Sequence, residues 1–60
     1  RISDERRAVL EVLRNAEGAT GPKDIAEALD WPQENVRQLL KSMATDGEVK
    51  KLRRGKYALP

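Results

Sequence analysis

Residues 22–46, PKDIAEALDWPQENVRQLLKSMATD, constrain the fold more than any other stretch of this 60-residue chain. Apolar side chains fall at Ile25, Ala26 and Leu29, then at Val36, Leu39, Leu40 and Met43. Both sets recur at three- and four-residue steps, which puts each on one face of a helix. Asp30-Trp31-Pro32 breaks the periodicity between them and plants one large apolar side chain in the turn. Pro22 suits the first position of its helix, where a missing N–H is no loss, and Pro32 is expected to be an early helical residue in the same way. Asp30 stands where a left-handed residue is often needed, a conformation Asp tolerates better than most. Gly47 is expected to stop the second helix of the pair.

The rest of the chain reads as what this pair needs in order to fold and be presented. Ser3 is an N-cap candidate, with Asp4 and Glu5 in the first turn, where carboxylates complement free amide dipoles. Val9, Val12, Leu13 and Ala16 mark the inner face of a first helix, Ile2 is placed to reach back as a staple, and Gly18 is expected to end the helix. Arg7 and Glu11 are spaced for an i,i+4 pair. The outer basic residues of this helix are expected to face solvent. Ala19-Thr20-Gly21 is too short for a strand of its own, though one or two of its residues suit pairing with a later strand. Trp31 is the only tryptophan in a chain without phenylalanine. An indole beside a turn suits either base stacking or core filling, and so small a domain needs it in the core.

The final segment, EVKKLRRGKYALP, holds two short β-compatible runs on either side of Arg54-Gly55. A hairpin follows, with Val49 tucked in before it. A two-residue tip at Arg54-Gly55 would set Leu52 opposite Tyr57. Arg-Gly is a weaker turn signal than Asn-Gly and leaves room for a longer tip. The fold class is therefore mainly α with a small β-hairpin, one domain over residues 1–60.

Charge is unevenly distributed. The net value of +2 conceals a balanced N-terminal segment, a slightly acidic middle, and a C-terminal segment where Lys50, Lys51, Arg53, Arg54 and Lys56 face only Glu48. The attraction for polyanions is concentrated in the last quarter.

Several function classes are disfavoured. With no histidine and no cysteine, the chain lacks the usual general base, the commonest metal ligand and any thiolate. It has no glycine-rich phosphate loop, and so few residues leave little room for a water-excluded pocket. No enzyme activity, cofactor, metal or small-molecule substrate is expected. No apolar run approaches the roughly 18 residues of a membrane span, and no signal-peptide core is present. The composition fits a reducing, cytoplasmic setting. A start at Arg1 without methionine suggests a module of a longer parent chain.

Taken in order, PKDIAEAL, DWPQENVRQLLKSM, DGEV and RRGKYAL resemble the winged helix-turn-helix family over nearly the whole chain. No one of these pieces is diagnostic; their order and spacing together are fairly specific. The resemblance implies three helices plus a C-terminal two-stranded wing. It also implies double-stranded DNA as partner, with the third helix (about 33–46) in the major groove and the basic wing (about 50–57) on the backbone or minor groove. By position, Gln33, Glu34, Asn35, Arg37, Gln38 and Lys41 would face the groove, and Lys51, Arg53, Arg54 and Lys56 would supply the wing contacts. Asp30 stands where the family often has glycine, and Pro32 where it often has a capping serine. Similar winged helices occur in transcription regulators and as terminal modules on replication proteins of phages and mobile elements, including primase-helicases. The ending GKYALP resembles a chain terminus of that second kind.

Side-chain chemistry agrees in kind. Arginine pairs bidentately with guanine, asparagine and glutamine pair with adenine, and lysine suits phosphate. Glu27, Asp30 and Glu34 point the other way, since carboxylates repel phosphate. They favour an alternative in which the same fold docks a protein partner without touching nucleic acid, its charges serving solubility.

Overall fold

The structure, a computed structural model, describes residues 3–60; the Ile2 staple lies outside them. Three helices come first: α1 over Asp4–Asn15, α2 over Pro22–Leu29 and α3 over Gln33–Thr45. A hairpin follows, with β1 at Lys50–Lys51, a 3₁₀ turn at Arg53–Gly55 and β2 at Tyr57–Ala58. Thr20, between α1 and α2, bridges Tyr57 through two backbone hydrogen bonds of 2.8 and 2.9 Å. The connector thus adds a one-residue third strand to the sheet and anchors the hairpin on the helices.

The helices start and stop for local reasons. Ser3 caps α1, its hydroxyl accepting from the Arg6 amide at 3.3 Å. The end of α1 differs from expectation: Ala16 is already extended, at φ −80° and ψ 149°, two residues before Gly18. The turn into the connector needs no left-handed residue, so Gly18 is not the stop. Asp30 does adopt the left-handed conformation, φ 57° and ψ 44°. The Trp31 amide donates to the Ala26 carbonyl at 3.0 Å and the Asp30 amide to that of Glu27 at 3.3 Å, the paired bonds of a Schellman cap. The same pattern ends α3, where Glu48 donates to Met43 at 2.8 Å and Gly47 to Ala44 at 3.2 Å. Gly47 sits at φ 80°, which explains a glycine there. Pro32 lies one residue outside α3 as its N-cap, with ψ 135°, and its carbonyl accepts the first helical bond from Val36.

The helical stripes meet in one core. Val9, Ile25, Val36, Leu40 and Met43 are fully buried, and Leu13, Ala26, Val49 and Tyr57 nearly so. All three helices and both ends of the hairpin segment thus contribute. Val12, Leu29, Trp31 and Leu39 are only half-buried and pack on the rim of this core. Trp31 therefore contacts the core from its edge instead of filling its centre.

Two expected contacts are replaced. Lys51 pairs with Tyr57 and Lys50 with Ala58, so Leu52 does not oppose Tyr57. The tip holds three residues, closed by the Leu52 amide donating to the Lys56 carbonyl at 2.7 Å. That extra residue shifts the register by one and turns Leu52 outward, 38% exposed. On α1, the ion pair formed is Arg14 with Glu11 at 3.7 Å instead of Arg7 with Glu11.

Candidate nucleic-acid interface

The outward face of α3 follows from its inward face. With Val36, Leu40 and Met43 turned to the core, residues 34, 37, 38, 41 and 45 fall on the opposite side. An open groove of about 730 Å³ runs between that face and the hairpin. Glu34, Arg37, Gln38, Lys41 and Thr45 line one wall, and Lys51, Gly55 and Tyr57 the other. The fold therefore brings Lys51, distant in sequence, beside Arg37, Gln38 and Lys41. Of the three carboxylates that argued against a polyanion, Glu34 lines the groove and Glu27 and Asp30 do not.

Glu34 is engaged within its own helix. Its carboxylate lies 3.9 Å from the Arg37 guanidinium and accepts from Gln38 Nε2 at 3.5 Å. Both side chains of the ion pair are about two-thirds exposed, at 63% and 68%. Such a pair contributes little to stability and exchanges readily for another partner. Among the described residues, no carboxylate lies within 4.0 Å of Lys41, Lys51, Arg53, Arg54 or Lys56. The Thr45 hydroxyl turns back to the Lys41 carbonyl at 3.1 Å.

The remaining candidates lie apart. Arg53, Arg54 and Lys56 sit exposed at the hairpin tip and do not line the groove. Arg54 takes φ 64° and ψ 25°, next to Gly55 at φ 69°. A left-handed arginine costs on the order of 1 kcal/mol relative to glycine. Asn35 belongs to a second, smaller depression of about 460 Å³, lined also by Glu5, Trp31, Pro32, Gln38 and Leu39. Gln33 is exposed at the start of α3 and lines neither. No side chain caps the first amides of α3, as expected with proline at the N-cap.

The residue that periodicity did not single out is Arg6. Its side chain is only 23% exposed, and its guanidinium donates to Asp46 at 2.7 Å, Glu48 at 2.6 Å and the Ser42 hydroxyl at 3.0 Å. Donating to Asp46 and then to Glu48 pushes its pKa above the ordinary arginine value. Arg6 ties the start of α1 to the end of α3 and to the junction that leads into the hairpin. It lies on the outer side of α1, but solvent is not what it faces.

Three helices, a bridging residue between the first two and a C-terminal antiparallel hairpin define the layout of a winged helix. The chain belongs to the family DUF7343, a domain of unknown function, which it matches over residues 1–59. No curated protein and no solved structure matches the chain. Among the described residues, no helix is long and apolar enough to cross a membrane, and no cluster of metal-ligating side chains occurs.

Proposed function

We propose that the domain binds double-stranded DNA, with α3 in the major groove and the hairpin wing on the adjoining backbone or minor groove. One observation carries this reading: the α3–wing groove gathers Arg37, Lys41 and Lys51 against the single carboxylate of Glu34. A helix is about 10–12 Å across with its side chains, and the major groove is about 12 Å wide. With α3 seated there, Lys41 and Lys51 flank the neighbouring sugar-phosphate strand. Arg53, Arg54 and Lys56 then reach phosphates beyond it. Arg37, Gln38 and the first-turn residues Gln33 and Asn35 are left to address base edges. The module would serve a larger parent protein in replication or transcription, in the cytoplasm, as the winged-helix modules of primase-helicases and regulators do. Tethering in such a chain raises the affinity of a small module through effective concentration.

The second depression favours a different reading, a protein-docking domain with no nucleic-acid contact. It joins half-buried Trp31 and Leu39 to Glu5 and Asn35 and holds no cation. Fluorescence anisotropy with a labelled short duplex, titrated at stepped salt, separates the two. The DNA reading expects binding at low salt and a log–log salt slope of about −4.5 for the five phosphate contacts of Lys41, Lys51, Arg53, Arg54 and Lys56. Absence of binding at low salt would leave protein docking as the better account.

A further inference from the structure

Resting on the DNA-binding reading, we infer that Glu34 is a specificity residue: paired with Arg37, it selects a guanine next to a cytosine and suppresses binding to all other duplex. Glu34 lines the groove that gathers Arg37, Lys41 and Lys51, and it lies in the first turn of α3, the part of a recognition helix that lies nearest base edges. Its partners, Arg37 and Gln38, are the two side chains best suited to reading bases on the same face. In the free protein Glu34 lies within reach of both, in contacts loose enough to exchange.

A ligand that draws Arg37 away must give Glu34 something in return. Phosphate cannot, because it offers acceptors only and repels the carboxylate. A guanine edge presents O6 and N7 acceptors to Arg37, and a neighbouring cytosine presents its N4 amine as a donor to Glu34. Both members of the pair are then satisfied at once. Thymine presents the O4 acceptor, which Glu34 rejects. Adenine presents an N6 donor beside the N7 acceptor, and N7 repels the second carboxylate oxygen. Residues 34 and 37 are three apart, about 4.5 Å along the helix axis, close to the 3.4 Å step between base pairs. Adjacent base pairs are therefore within reach of the two side chains.

The test is selection from a pool of short duplexes randomised in the centre, run with the native domain, Glu34→Gln and Arg37→Ala, and with thermal melts confirming that each variant folds. The native domain should enrich a G·C-containing step, with discrimination of about tenfold or more at the cytosine position. Glu34→Gln should lose that preference, bind the unselected pool several-fold more tightly, and steepen the salt slope by about 0.9, as the freed Arg37 takes a phosphate. Two outcomes overturn the inference while leaving DNA binding intact. In one, Glu34→Gln enriches the same sequence as the native domain; in the other, the native domain binds the pool without enriching any step. Failure of the native domain to bind the pool even at low salt would overturn the DNA-binding reading itself, and the inference with it.

Discussion

The two ends of α3 carry ion pairs of opposite character. At the C-terminal end, Arg6 is only 23% exposed and holds Asp46 and Glu48 at 2.7 and 2.6 Å, with Ser42 as a third partner. At the N-terminal end, Arg37 and Glu34 are mostly exposed and 3.9 Å apart. The first arrangement spans about forty residues of sequence and fixes where the hairpin leaves the helix; the second lies within one helical turn and fixes nothing beyond itself. The charges of the first arrangement are tied into the fold, and those of the second are free to exchange. Arginine is not a marker of binding in this chain. Its role depends on whether its acids come from another element or from its own helix.

Beneath both ends lies fully buried Leu40. Leu40→Ala should cost roughly 2–5 kcal/mol, against a total of about 3–9 kcal/mol for a chain of this size. Chemical denaturation should find roughly half of the native stability gone. Next comes binding at the exchangeable end. Arg37→Ala should cost about 1–3 kcal/mol at one base pair and little on other sequences, with an unchanged melting temperature. Equal losses on every duplex would mean that α3 does not read bases. Arg6→Ala should show the reverse pattern. Its melting temperature should fall clearly, because Asp46 and Glu48 are left together without a cation, and adding Glu48→Gln should recover part of that fall.

A smaller effect is expected at the wing tip, where stability and binding should part company. Arg54→Gly relieves a left-handed arginine and should raise stability by about 0.5–1 kcal/mol. The same change should weaken binding to all duplexes alike and flatten the salt slope by about 0.9. If instead both stability and binding fell, the strained arginine would have a structural role. Smallest of all, Arg14→Ala removes the exposed pair with Glu11 and should change stability by under about 0.5 kcal/mol.

Much of this architecture is legible in the sequence, for identifiable reasons. The stripes of α2 and α3 follow a 3.6-residue period, and their inner residues are buried except for half-buried Leu29 and Leu39. Asp30 and Gly47 mark the left-handed ends of α2 and α3, and Thr20 does pair with the later strand. What the sequence hides is long-range or marginal. No local pattern links Arg6 to Asp46 and Glu48, because their meeting is a product of packing α1 on the end of α3. The hairpin register depends on whether the tip holds two or three residues, and Arg-Gly encodes that choice weakly. The end of α1 at Ala16 has no strong stop signal, which is why Gly18 looked like one. For the candidate site, the outward residues of α3 could be named from the period alone. Their convergence with Lys51 required the hairpin to be placed, and the separation of Asn35 into another depression required α1 and Trp31 to be placed.

The central claim is that the exchangeable end of α3 and the wing together receive DNA. Amide chemical-shift mapping of the labelled domain with a short duplex, first at low salt and then higher, tests it most directly. The account predicts shifts confined to residues 33–41 and 50–57, diminishing as salt rises, while Arg6, Asp46 and Glu48 stay still. Shifts absent from Arg37, Lys41 and the wing at low salt, or centred on Trp31 and Glu5 instead, would contradict it.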